Sequence, residues 1–223
     1  MGLRESDVTT FLKENLDRDV ILAVIDAIEA SARSSYLQCE NADAGHRNAK
    51  AGQWRYFDLN ERLHQLFNSH DMTSSPELKT GHIFIGKSKK ITVGCYNSDS
   101  NLLSSGKKSS QRRELASLNS SVDKNYHDDL FSRMPENINE LSVFFAYSVN
   151  RKYSGKESEP ILNSVTILIP DTMFSSFIYK SSAISLLKLY DKDIVQDANE
   201  RNEEVLVKTK KHQNSLKSHE QES

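Results

Sequence analysis

Four carboxylates are the residues whose types and positions favour hydrolytic chemistry. Asp128 and Asp129 are adjacent, Glu140 directly precedes one predicted strand, and Asp171 directly follows another. Carboxylates held at strand ends bind Mg²⁺ or Mn²⁺ where two or three converge, and the metal then activates water. This arrangement makes a metal-dependent nuclease, or a related phosphodiester hydrolase, one hypothesis. Two observations oppose it: the strands lack the acidic-x-lysine pair of the usual nuclease core, and Asp171 equally suits a helix N-cap.

Other motifs that would indicate an enzyme are missing from the sequence. It contains no G-x-x-x-x-G-K-[ST] loop for phosphates, no G-x-G-x-x-G dinucleotide motif and no G-x-S-x-G nucleophile motif. The histidines have no metal-binding spacing, and Cys39 and Cys95 are too far apart for a zinc site or a disulfide framework. We therefore expect no cofactor and no bound metal, with Mg²⁺ or Mn²⁺ required only under the nuclease hypothesis.

A basic segment is the clearest asymmetry of charge in the chain. Residues 79–113 carry eight basic side chains and one acidic side chain, although the formal net charge of the whole chain is −2. Such a cluster can neutralise several phosphates of DNA or RNA, and an aromatic ring within it can stack on a base. The predicted nucleic-acid contacts are Lys87, Lys89, Lys90, Tyr96, Lys107, Lys108, Arg112 and Arg113. The alternative is that these cations only keep an edge hairpin and a loop soluble.

A second group of residues combines aromatic and cationic side chains. Arg47, Trp54, Arg55 and Tyr56 precede the third predicted helix. Tryptophan and arginine together are favoured at interfaces and on nucleic acid, so these residues form a candidate recognition surface. A single tryptophan is more commonly an anchor of the core, and that alternative stays open.

Helices are predicted for the first third of the chain. Apolar residues at helical spacing predict one helix over 6–16, capped by Ser6, and a second, wider apolar helix from Asp17 or Asp19 to about Tyr36. Residues 41–52 are polar and predict a loop. Asp58 has the spacing of a capping box and starts the third predicted helix, which ends near residue 69.

Alternating apolar residues then predict a sheet. Residues 83–85 and 91–95 form a predicted hairpin, 141–149 and 165–169 are two further strands, and the segment 98–121 between them is a serine-rich basic loop. After Pro170, a helix capped by Asp171 and another near residues 184–194 are expected.

The order of these elements predicts an α+β fold with N-terminal helices, a mainly antiparallel sheet of at least four strands, C-terminal helices and a mobile tail. Residues 1–197 are predicted to form a single domain. The charged, aliphatic-poor residues 198–223 are predicted to form a partly helical or disordered tail.

The leading functional prediction is an intracellular, non-enzymatic binding or regulatory protein that contacts DNA or RNA through residues 79–113. The alternatives are the hydrolase and a protein–protein adaptor or inhibitor, for example from a mobile element or a defence system. No window approaches the roughly 20 apolar residues of a membrane span, so no membrane association is expected. With two cysteines and no secretory signal, a cytoplasmic location is expected, or a nuclear one in a eukaryote.

Overall fold

The computed structural model describes residues 5–75, 83–98, 101–123, 138–156 and 159–191. The chain divides into two compact units, Met1–Ile184 and Ser185–Ser223. In the second unit the description covers residues 185–191, which are helical. Some predictions concern residues outside the described ranges. They are those for Asp128, for Asp129, for the domain end at residue 197 and for the tail. No described helix is long and apolar enough to cross a membrane.

Three helices open the chain: α1 (Glu5–Asn15), α2 (Arg18–Cys39) and α3 (Ala44–Ser69). The first two match the predicted bounds closely, but Ser6, the predicted cap of the first helix, lies within α1. The third begins at residue 44, so the predicted loop over 41–52 and the predicted start at Asp58 are wrong. Asp43 is the N-cap, and its carboxylate accepts a hydrogen bond from the Gly45 amide at 2.9 Å. Asp58 instead lies within α3 and pairs with Arg62 at 2.8 Å, one turn later.

Six strands of the described residues form one sheet in chain order, and every neighbouring pair is antiparallel except the third and fourth, which are parallel. The strands are β1 (Thr73–Ser74), β2 (Ile85–Ser88), β3 (Ile91–Asn97), β4 (Leu141–Val149), β5 (Leu162–Pro170) and β6 (Phe177–Ser182). The α+β class and the mainly antiparallel sheet are confirmed. The predicted order of helices and strands is only partly right, because β6 replaces a predicted helix.

The serine-rich segment is the crossover between β3 and β4. Parallel neighbours need a connection of a dozen or more residues, usually helical. The segment accordingly contains α4 (Leu102–Lys107) and α5 (Ser110–Ser117), so its prediction as a loop is wrong. Two of its polar residues cap these helices: Asn101 accepts from the Ser104 amide at 2.9 Å, and Ser109 accepts from the Arg112 amide at 3.4 Å.

Apolar side chains cover both faces of the sheet. All nine residues of β4 are buried. On one face, Tyr96 and Phe144 pack with Leu115 of α5 in a buried cluster. On the other face, α3 packs closely enough that a Cβ added to Gly86 would lie 2.4 Å from the Phe67 ring. The sheet is therefore the middle layer between α3 and the crossover helices.

A tight turn, and not the predicted helix, follows β5. The buried carboxylate of Asp171 accepts five hydrogen bonds, from the Met173 amide and from the amides and hydroxyls of Ser175 and Ser176. These bonds fold the chain back on itself, and Phe174 within the turn has a φ of 53°. Apolar residues on both sides of the turn mimicked a helical period, which explains the wrong prediction.

The Asp171 turn makes stability depend on pH. Burial raises the pKa of the carboxyl, but the bonds from Ser175 and Ser176 outweigh this and hold it below its usual value. A pKa lowered by folding stabilises the native state above about pH 4, and this contribution is lost as the pH falls through the native pKa. We expect Asp171→Asn to lower the free energy of unfolding at pH 7 and to differ less from the wild type at pH 3.

Denaturation with urea at both pH values measures this difference. Asp26→Asn, which changes an exposed carboxylate on α2, is the matched control and should leave the stability unchanged at both. If Asp171→Asn lowers the free energy of unfolding as much at pH 3 as at pH 7, this explanation is wrong.

Candidate anion-binding site

The lysines of the β2–β3 hairpin are engaged with acidic neighbours. Lys87 pairs with Glu140 at 3.0 Å. Lys89 lies 3.3 Å from the Asp17 carboxylate, and its ammonium also donates to the Glu14 carbonyl at 3.0 Å. Their charges are therefore partly neutralised within the protein. Lys90 is exposed in the hairpin turn.

The remaining predicted contacts lie on or next to the crossover. Lys107, Lys108 and Arg113 are exposed. Tyr96, at 4% exposure, is too buried to stack on a base, so that part of the prediction does not fit. Its hydroxyl donates to the Leu102 carbonyl at 3.0 Å.

The described carboxylates of the nuclease hypothesis do not converge on a metal site. Glu140 bonds Thr92 at 2.5 Å and pairs with Lys87. Burial raises the pKa of Glu140, but these two contacts outweigh it and lower the pKa. The carboxylate of Asp171 is occupied by its turn. Within the described residues, no group of three His, Cys, Asp or Glu side chains is arranged to hold a metal ion.

Two clefts adjoin beside α3. The larger has a volume of about 390 Å³, and the smaller of about 290 Å³. They share the lining residues Gly52, Arg55 and Asn97, and together we call them the arginine groove. Its arginines are Arg47, Arg55 and Arg151 in the larger cleft and Arg55 and Arg112 in the smaller.

No aspartate or glutamate side chain is among the described residues that line either cleft. Four arginines therefore line the two adjoining clefts, and none of the described lining residues is acidic. Guanidinium is permanently charged and presents a fork of donors that matches carboxylate and phosphate. The groove is therefore a candidate anion-binding site.

The sheet explains why these residues meet. Asn97 ends β3, and Asn150 and Arg151 directly follow β4, its parallel neighbour. The carboxyl ends of parallel strands lie at one edge, where the connections diverge and leave a crevice. The helix α3 closes one side of that crevice with Arg47, and α5 adds Arg112.

The turn after β4 is held in shape by a carboxylate. Glu159 accepts hydrogen bonds from the Ser154 amide at 2.8 Å and from Asn150 at 3.1 Å. Tyr153 in this turn meets Tyr36 of α2 edge to face, with ring centroids 4.8 Å apart. Both rings line the larger cleft. Tyr36 of α2 and Tyr153 of this hydrogen-bonded turn thus form one aromatic side of the larger cleft.

Arg112 is the most constrained cation of the groove. Its guanidinium lies over the Tyr96 ring, 4.9 Å from the centroid. Its Nε is buried and has no hydrogen-bond partner in the described structure. Burial lowers the pKa of Arg112, against the opposing effect of Tyr96 and Tyr147. This is a partly desolvated cation oriented by an aromatic ring.

Sequence reasoning identified part of the groove. Arg47, Arg55 and Tyr56, grouped as a candidate recognition surface, all line it. Trp54 does not: it is 46% exposed, and its indole nitrogen donates to Ser34 at 3.3 Å. The alternative prediction, that Trp54 anchors the core, is also wrong. Arg151 was missed, because a lone arginine after a strand carries no local signal.

No protein-family model matches the chain, and no curated protein or solved structure is significantly similar to it. Its function is therefore inferred from the chemistry of the arginine groove.

Proposed function

We propose that the chain is a non-enzymatic protein that binds single-stranded nucleic acid, with phosphates of the strand held in the arginine groove. The observation that carries the proposal is the set of four arginines facing two adjoining clefts with no lining carboxylate among the described residues. A phosphate placed there gains charge-assisted hydrogen bonds and meets no carboxylate among the described lining residues.

The other lining groups favour a nucleic acid over a simple anion. Asparagines also line the groove, Asn48 in the larger cleft and Asn97 in both, and side-chain amides are able to bond the edges of bases. Tyr36 and Tyr153 also line the larger cleft, and aromatic side chains are groups on which unpaired bases stack. Clefts of about 290 and 390 Å³ suit single nucleotides, whereas a duplex is too wide to enter them.

Exposed cations near the groove extend the proposed contact. Lys107 and Lys108 immediately precede Ser109, which lines the smaller cleft, and Arg113 follows Arg112. The basic crossover thus supplies a surface along which a backbone leaving the groove can continue. An intracellular location belongs to the same proposal, and the separate, buried thiols of Cys39 and Cys95 support it.

Fluorescence anisotropy with a labelled single-stranded oligonucleotide tests the proposal. We expect binding that weakens steeply with salt, because phosphate contacts release counterions. The double variant Arg47→Ala/Arg151→Ala removes two exposed cations of the groove. It should bind about tenfold more weakly or worse, and the slope of log K against log salt should be smaller by about 1.4, because each phosphate contact of a single strand contributes about 0.7.

The double variant Lys90→Ala/Lys180→Ala is the matched control, since it removes the same charge from exposed residues outside the groove. It should bind almost as the wild type does. Equal affinity of all three proteins would contradict the proposal. Cleavage of the probe with Mg²⁺ would instead support the hydrolase, and recovery of one stoichiometric protein partner without nucleic acid would support the adaptor.

A further inference from the structure

The side of α3 that faces solvent carries two exposed aromatic side chains. Trp54 is 46% exposed and Phe57 is 49% exposed, and their spacing of three residues puts them side by side on one helix face. The Trp54 indole is held by its hydrogen bond to Ser34 of α2. Phe57 meets Tyr56 edge to face, with ring centroids 5.1 Å apart. Exposed aromatic rings that are already ordered lose little freedom on binding, so this pair suits a protein interface.

Opposite charges flank the two aromatic residues on the same face of α3. Lys50 lies one turn before Trp54, Glu61 lies one turn after Phe57, and both charged residues are exposed. Neither forms an ion pair with another residue in the described part of the chain. The four residues are spaced by four, three and four positions, which is the a/d spacing of a coiled-coil seam. We call them the α3 stripe.

The order of charges along the α3 stripe matches a second copy of the stripe that runs antiparallel. A two-fold axis midway between residues 54 and 57 places Trp54 of each copy against Phe57 of the other. The same axis places Lys50 of each copy against Glu61 of the other. A parallel pair would instead place like charges opposite each other, which is unfavourable. The stripe is therefore complementary to itself, as the interface of a symmetric dimer must be.

The α3 stripe is separate from the arginine groove. Asn48, Gly52 and Arg55 are residues of α3 that line the groove. Because successive residues of a helix are about 100° apart around its axis, these three lie on the side of α3 opposite to Trp54 and Phe57. A partner seated on the stripe would leave that side of the helix uncovered.

We infer that two copies of this chain associate through the α3 stripe, in a two-fold symmetric dimer whose α3 helices run antiparallel. The aromatic residues form the centre of this interface, and the Lys50–Glu61 pairs fix its orientation at both ends. The inference goes beyond the proposed function and does not depend on it. A dimer of this kind carries two arginine grooves.

Sedimentation equilibrium of the protein without nucleic acid, from about 1 µM to 1 mM, tests the inference. We expect the wild-type mass to rise with concentration from 25.3 kDa toward twice that value. Lys50→Glu and Glu61→Lys should each weaken association about tenfold or more, because each puts like charges together at two symmetric places. An equimolar mixture of these two variants should associate about as tightly as the wild type, since opposite charges then meet at both places.

The double variant Trp54→Gln/Phe57→Gln should remain monomeric over the same range of concentration. Met173→Gln/Ile184→Gln is its matched control, because it changes two exposed apolar residues outside α3, and it should associate as the wild type does. Thermal melts establish that each variant is folded. A wild type that stays monomeric throughout would overturn the inference, and so would a dimer that neither charge reversal weakens. Both results would leave the proposed function standing, because anisotropy tests it separately.

Discussion

Replacement of Asn119 by alanine is expected to lower the free energy of unfolding by roughly 2–5 kcal/mol, as is usual when a buried hydrogen-bond network is broken. Asn119 has no solvent exposure. Its amide nitrogen donates to the Pro170 carbonyl at 2.8 Å, and its amide oxygen accepts from the Ser142 amide at 2.7 Å and from the Ser142 hydroxyl at 3.1 Å.

The position of Asn119 in the sheet explains the size of this effect. The antiparallel register that pairs Phe144 with Leu168 would place Ser142 opposite Pro170 two residues further on. Proline has no amide hydrogen to donate to a neighbouring strand. The side chain of Asn119 stands between the two strands and satisfies both of their free groups. Alanine would leave a buried amide and a buried carbonyl without partners.

Urea denaturation of wild type and Asn119→Ala measures the difference. The matched control is Asn163→Ala, whose amide also donates to a strand carbonyl, that of Val149 at 3.0 Å, but from an exposed residue. The control substitution should lower the free energy of unfolding by less than about 1 kcal/mol, because water replaces an exposed hydrogen bond. Equal losses in the two variants would show that Asn119 does not bridge the strands as described.

Local signals were sufficient where the secondary structure is set by neighbours in sequence. The apolar period of α1 and α2 and the alternation in β4 led to correct predictions, because each pattern reflects burial of one face or of both. The same reasoning failed for the serine-rich crossover. There, α4 and α5 exist because β3 and β4 run parallel, and strand direction is a long-range property that no local pattern records.

For the candidate site, too, local features were predicted from the sequence and long-range ones were not. Arg47 and Arg55 were recognisable, since arginine near aromatic residues is a local signal. The sequence did not show that they lie near Arg112 and Arg151. Those residues are distant along the chain, and they come together only at the carboxyl ends of β3 and β4. That the described lining residues include no carboxylate is likewise a property of the folded surface and not of any local sequence. A count of charges over residues 79–113 included lysines that are ion-paired with Glu140 and Asp17.

Gly52 gives the second large expected effect, a loss of binding without a loss of stability. It lies in the interior of α3, where glycine destabilises a helix by roughly 0.5–1 kcal/mol relative to alanine. Close packing does not explain it, because a Cβ added there would meet no atom within 4 Å. It lines both clefts of the arginine groove. The missing side chain keeps the junction of the clefts open.

Gly52→Ala should therefore raise the free energy of unfolding by about 0.5–1 kcal/mol, and Gly52→Leu should fill the junction and weaken oligonucleotide binding by at least about tenfold. Gln53→Leu, which places the same side chain on the exposed neighbouring position, is the matched control and should bind as the wild type does. Urea denaturation and anisotropy on the same samples separate the two effects. If Gly52→Leu is folded and binds with unchanged affinity, a strand does not pass the junction, and the phosphates must lie elsewhere than in the arginine groove.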